Sequence, residues 1–86
     1  MIVRGIYFAP REAALVAELL ANEIAADEAV LTKWYGDDRP KWARKTLSVI
    51  RVRVRRKLRQ VNIEVSTARG VGCYLSSGDR LWLRGL

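Results

Sequence analysis

Between Arg39 and Arg59 the chain carries ten basic residues and no acidic one. The stretch RVRVRRKLRQ, residues 51–60, supplies six of them. A run of that density repels itself and gains most beside a polyanion, with nucleic-acid phosphates the commonest candidate. The alternative reading is a solvated charged face. Two periodicities compete within it. Val52 and Val54 alternate with Arg51, Arg53 and Arg55 as in a strand, whereas Leu47, Ile50, Val54 and Leu58 recur at helical spacing. With Leu47 at 0°, the other three fall at about 300°, 340° and 20°, one narrow apolar stripe. Lys41, Lys45, Val49, Val52, Arg56 and Arg59 fall on the opposite side. The alternation collapses at Arg55-Arg56-Lys57, so the spacing predicts a helix over about 42–59.

The rest of the chain has a different charge. Residues 1–38 hold three basic and seven acidic groups, and residues 60–86 hold three basic and two acidic, for a net charge of +7 in 86 residues. A chain of that length makes one small domain, here taken as residues 1–86, able to bury roughly 60–65 % of its unfolded surface. Half of the residues are hydrophobic and only two are proline, which argues against intrinsic disorder. One cysteine, Cys73, cannot make an internal disulfide, and without histidine an ordinary zinc site is excluded. No stretch approaches the ~18 apolar residues of a membrane span, and the N-terminus lacks a signal-peptide pattern. The expectation is a cytoplasmic protein without metal, cofactor or membrane association.

Ile2, Val3, Ile6, Tyr7 and Phe8 suggest one or two short strands broken at Gly5. Pro10 then suits a first helical position, and AALVAELLA continues as a helix with Leu15, Val16, Leu19 and Leu20 on one face. From Asn22 to Tyr35 the pattern resumes, with Asp27 and Glu28 suited to a first turn. Nothing forces a break at 22–26, so one long helix and two short ones both fit. GDDRP, residues 36–40, ends the helical region. After the basic helix, VNIEVSTARGVGCYL reads as a β-hairpin, with Gly70 and Gly72 allowing positive φ in its turn. Leu81, Trp82 and Leu83 form an apolar trio that would close a small sheet with residues 2–8 or form a dimer patch.

The order strand, helix, helix, basic helix, hairpin is that of a winged helix-turn-helix, an α+β fold of three helices with a C-terminal β-hairpin wing and a short N-terminal strand. Several stretches resemble the winged-helix effector domains of OmpR/PhoB-type response regulators. Val54-Arg55-Arg56-Lys57-Leu58 is similar to that family's basic helix, and Thr67-Ala68-Arg69-Gly70-Val71-Gly72-Cys73 to its wing motif. IAADEAVLTKWYG resembles its second helix and Phe8-Ala9-Pro10-Arg11-Glu12 the opening of its first. The likeness spans about residues 8–75. It implies double-stranded DNA binding by a stand-alone transcriptional regulator, with residues 42–59 in the major groove and the wing, about 61–75, on the adjacent backbone or minor groove. The contact residues it implies are Arg44, Lys45, Thr46, Ser48, Val52, Arg53, Arg55 and Arg56 on the helix, with Thr67 and Arg69 on the wing. Arg51 departs from the family, standing where it has an apolar core residue, and Cys73 replaces the wing tyrosine. No receiver domain lies within these residues.

Duplex DNA is thus the expected partner, with RNA polymerase or a second copy bound head to tail as further ones, and no small-molecule substrate. A protein-interaction module on the same scaffold, acting as antagonist or adaptor of a regulator or polymerase, is the second reading, and a nonspecific nucleic-acid chaperone the third. An enzyme is not expected, because no nucleophile, base and orienting group occur together. Glu12, Glu18, Glu23, Asp27 and Glu28 read as solvated, or as a face toward a protein. Trp34, Tyr35 and Trp42 read as hinge packing, and Cys73 as a small core residue.

Overall fold

The computed structural model describes residues 1–85. In chain order the elements are β1 (Ile2–Val3), β2 (Ile6–Tyr7), α1 (Pro10–Ala21), β3 (Ala25–Ala26), α2 (Asp27–Tyr35), α3 (Ala43–Arg59), β4 (Ser66–Ala68), β5 (Gly72–Tyr74) and α4 (Ser77–Leu83). Among the described residues the architecture is α+β, with four helices and two small sheets, one of two strands and one of three in the order β3-β5-β4. No described helix is long and apolar enough to cross a membrane.

The N-terminal strands form a hairpin rather than a single strand. Arg4 and Gly5 both have positive φ, 50° and 81°, as the tightest hairpin turns require, and Ile2 pairs with Tyr7. Helix α1 begins at Pro10, where a missing N–H costs nothing, and the Glu12 carboxylate reaches back to accept from the Ala9 N–H at 2.9 Å. Leu15, Val16 and Leu19 bury its inner face.

The question of one helix or two resolves in favour of two. Asn22 leaves α1 in an extended conformation, and Ala25 and Ala26 pair antiparallel with Cys73 and Gly72 of β5. Two alanines carry little strand propensity, so this strand exists because of its partner rather than its own sequence. Gly72 makes the pairing possible by close approach, not by positive φ: a Cβ there would lie 2.0 Å from the Ala25 carbonyl oxygen. Gly70 is the residue of the turn with positive φ, 77°.

Helix α3 matches the expected span within one residue. Ala43, Leu47, Ile50, Val54 and Leu58 form its buried stripe against α1 and α2. It ends in a reciprocal pair of turn bonds, Asn62 N–H to Arg59 carbonyl at 3.0 Å and Ile63 N–H to Leu58 carbonyl at 3.1 Å. Asn62 holds the left-handed conformation this ending demands, φ 61°. The buried set around Phe8, Leu15, Leu19, Leu31, Leu47, Val54 and Leu58 joins all three longer helices to Ile63, Val65, Cys73 and Leu75 of the C-terminal strand region.

The fourth helix corrects the reading of the C-terminal apolar trio. Leu81, Trp82 and Leu83 do not extend a sheet; they lie in α4, whose first turn is capped by the Ser76 hydroxyl accepting from the Asp79 N–H at 3.2 Å. Leu83 alone of the three is buried. Trp82 instead lies under Arg4, whose guanidinium carbon sits 4.6 Å from the ring centroid and whose Nε donates to the Trp82 carbonyl at 2.8 Å.

Candidate nucleic-acid interface

Helix α3 has eight basic residues among seventeen and no acidic one, and its three sides use them differently. The stripe facing the core is apolar. The flanks carry cations that have carboxylate or hydroxyl partners within the protein. The third side faces solvent.

On the flank toward α2, Arg51 is bonded to Asp27, with side-chain exposures of 18 % and 23 %. This explains the basic residue at an otherwise apolar position: the guanidinium finds a carboxylate in the first turn of α2, where an acid also suits the helix dipole. Arg44 pairs with Glu28, which also accepts from Arg39 at 2.6 Å. The bond from Arg39, outweighing a smaller effect of burial, holds the Glu28 carboxyl below its ordinary range together with Arg44. Arg55 donates to the Thr67 hydroxyl at 2.6 Å, tying α3 to strand β4 of the hairpin. On the flank toward α1, Lys57 donates to Glu12 Oε1 at 2.5 Å and to the Tyr7 carbonyl at 3.0 Å. Burial pushes the Glu12 carboxyl up, but the bonds from Lys57 and the Ala9 N–H prevail, and its pKa ends below the ordinary value.

These pairs correct the expectation of a solvated acidic face at Glu12, Glu18 and the half-buried Asp27, whereas Glu23 and Glu28 are exposed. Glu12 and Glu18 are buried, the latter bonded to Lys33 and to the Asn22 amide at 2.9 Å. Sequence periodicity placed them on α1 but could not show that Lys57 and Lys33 would fold over them.

The solvent side of α3 carries Lys45, Ser48, Val49, Val52, Arg53, Arg56 and Arg59, all exposed. Among the described residues no carboxylate lies within ion-pair distance of Lys45, Arg53, Arg56, Arg59 or Arg69. Arg69 is exposed at the hairpin turn, which closes by the Val71 N–H donating to the Ala68 carbonyl at 2.9 Å. The hairpin is held in place from three directions. The Val71 carbonyl accepts from the Asp27 N–H at 2.8 Å, β5 pairs with β3, and Thr67 receives Arg55.

Of the expected contact residues, Lys45, Ser48, Val52, Arg53 and Arg56 thus share one outward surface, with Thr67 and Arg69 exposed on the hairpin. Thr46 is half-buried; Arg44, though exposed, is paired with Glu28, and the half-buried Arg55 donates to Thr67. Val49 and Arg59 belong to the surface although no motif singled them out. The helical wheel had already put both opposite the core stripe.

At the start of α3 the aromatic residues stack edge to face, Trp34 on Tyr35 at 6.2 Å and Tyr35 on Trp42 at 5.9 Å. Arg11 donates to the Tyr35 hydroxyl at 2.5 Å and lies over both the Trp34 and Tyr35 rings. This cluster fastens the α2–α3 connection to α1, as the hinge reading expects. Cys73 is fully buried; burial pushes its thiol pKa up, and the neighbouring Arg51 offsets only part of that.

Helix α3 thus presents an exposed face of cations that have no carboxylate partner among the described residues, and the hairpin turn presents Arg69. No group of three or more potential metal ligands comes together among the described residues. Comparison with protein-family models, curated proteins and solved structures found no match to the chain.

Proposed function

We propose that the protein is a sequence-specific double-stranded DNA-binding regulator of the winged helix-turn-helix type, with α3 as the recognition helix and the β4–β5 hairpin as the wing. The observation that carries this reading is the sorting of charge on α3. Cations on its flanks are neutralised by Asp27, Glu28 and Glu12, while Lys45, Arg53, Arg56 and Arg59 remain on one outward side, and Arg69 is exposed on the hairpin tied to α3 through Arg55 and Thr67. Like charges gathered on one surface repel one another, and a bound polyanion relieves that repulsion.

The topology supports the same reading. A short strand between α1 and α2 pairs with the hairpin, which is also tied to α3 by the Arg55–Thr67 bond, so the hairpin does not project independently. A helix with its side chains is ~10–12 Å across, the width of the B-DNA major groove, and base pairs are all distinguishable there. Arg69 at the hairpin tip then meets the adjacent backbone or minor groove. The likeness to OmpR/PhoB-type effector domains in residues 54–58 and 67–73 points the same way.

The test is equilibrium binding of the full chain to randomised duplex DNA across a salt series, followed by selection of preferred sequences against random competitor. The reading expects an enriched sequence and a log–log salt slope of about −0.9 per phosphate contact. Binding without enrichment would turn the protein into a nonspecific chaperone, and no binding would favour the protein-interaction reading.

A further inference from the structure

The outward face of α3 contains two residues that have no business with phosphate. Val49 and Val52 are 46 % and 47 % exposed, and nothing in the fold covers them. They sit in the series Lys45, Val49, Val52, Arg56, spaced by four, three and four residues, which places them on one strip about 16 Å long with a cation at each end. Trp42, also exposed, continues an open apolar groove from Val49 past Thr46 toward the start of the helix.

The rest of α3 narrows what such a strip can read. Arginine and lysine match the guanine edge, asparagine and glutamine match adenine, aspartate and glutamate match cytosine, and apolar groups match the thymine methyl. Helix α3, ARKTLSVIRVRVRRKLR, contains no asparagine, glutamine, aspartate or glutamate. The Ser48 hydroxyl, a general-purpose alternative, donates within its own helix to the Arg44 carbonyl at 3.1 Å. Guanine therefore has its bidentate readers on this face, whereas adenine lacks its asparagine or glutamine partner, and the feature of an A·T pair that matches the exposed valines is the thymine methyl.

Resting on the recognition-helix reading, we infer that Val49 and Val52 read C5-methyl groups of pyrimidines in the major groove, so that A·T pairs in the bound site are selected through the methyl of thymine. Exposed valines are covered when the methyl seats against them, and the cations of Lys45 and Arg56 fix the register at either end. The same methyl group occurs on 5-methylcytosine, which would fit the same strip.

The experiment starts from the duplex enriched by selection and compares it with the same duplex synthesised with deoxyuridine in place of thymidine, which removes the methyl and keeps every hydrogen-bonding group. Affinity is expected to fall roughly three- to tenfold per contacted thymine, the effect of about one buried methyl group. Val49→Ala with Val52→Ala is expected to abolish the difference between the two duplexes while the circular-dichroism melt, governed by the core, stays unchanged. A further arm exchanges contacted A·T pairs for G·C pairs with and without a C5-methyl on cytosine. A gain from that methyl assigns the strip to either base, and no gain confines it to thymine; both accord with methyl reading.

Equal affinity for the thymine and uracil duplexes, with sequence preference intact, overturns the inference and leaves the DNA-binding function standing. A uracil penalty that survives in the double variant shows that other groups read the methyl and overturns the assignment to the valines. Absence of duplex binding overturns both.

Discussion

Asp27, in the first turn of α2, accepts a hydrogen bond from Arg51 halfway along α3, and the two side chains are largely withdrawn from solvent. Neither charge has water enough to stand alone. Arg51→Leu or Asp27→Asn is expected to cost about 1–3 kcal/mol, because each leaves the opposite group partly buried without its partner. Urea denaturation of the two single variants and the Asp27→Asn, Arg51→Leu double variant checks this. The double variant should recover part of the loss, and strict additivity would mean that the two side chains do not act on one another.

Gly72 lies where β5 crosses Ala25 and Ala26, leaving no room for a side chain. Gly72→Ala is expected to pry β3 from β5 and lower stability by about 1–3 kcal/mol, the usual cost of overpacking. Gly70→Ala strains a positive φ but meets no atom within 4 Å, so its cost is expected to be smaller. A thermal melt that ranks the two in the opposite order would contradict the close approach.

Glu12 has its pKa lowered in the folded state by Lys57 and the Ala9 N–H despite burial. A carboxyl lowered on folding stabilises above its ordinary value of about 4.3 and loses that contribution as pH falls through the folded value. Acid unfolding below about pH 4.3 should therefore be shallower in Glu12→Gln, which has no such carboxyl to protonate. The same variant should be less stable than the parent at neutral pH.

Cys73 is buried against Arg51 and Asp27, with its thiol held protonated by desolvation. A thiol-reactive probe at neutral pH is expected to label it quickly in denaturant and, in the native protein, only as slowly as the fold opens. Rapid labelling of the native protein would show that β5 lifts away readily from the core.

If the outward cations meet phosphate, Arg59→Ala and Arg53→Ala should each reduce the salt slope of DNA binding by about one and weaken all sequences alike. A residue that reads a base behaves differently: Lys45→Ala, Arg56→Ala or Arg69→Ala would cost about 1–3 kcal/mol at one position of the site. Arg55→Lys and Thr67→Val act through the hairpin's seating and are expected to lower affinity without changing the preferred sequence. A binding titration for each variant against the selected and the random duplex separates the three behaviours.

The three longer helices were legible because each carries its own apolar stripe: Leu15, Val16 and Leu19; Val30 and Leu31; Leu47, Ile50, Val54 and Leu58. The hairpin turn was legible in Arg69-Gly70. Strand β3 was not, since Ala25 and Ala26 acquire their conformation from Cys73 and Gly72, far along the chain. Helix α4 left a local trace in the Ser76-x-x-Asp79 cap, but its seven residues are too few to show a period. The candidate surface was legible in part. Periodicity gave its outward side, while the engagement of Arg44, Arg51 and Arg55 depended on partners in α2 and β4 that only the folded chain brings close.

The pairing of Ala25 with Cys73 joins residues about 48 positions apart through a strand only two residues long. Such a contact closes a long loop for little local reward, so the helices would pack early and the three-stranded sheet would complete late in folding. Substitutions in β3 and β5 then act chiefly by hastening unfolding, whereas those in the α1–α3 contact slow the folding rate itself. The seating of the hairpin that carries Arg69 thus depends in part on two alanines that make hardly any mark in the sequence.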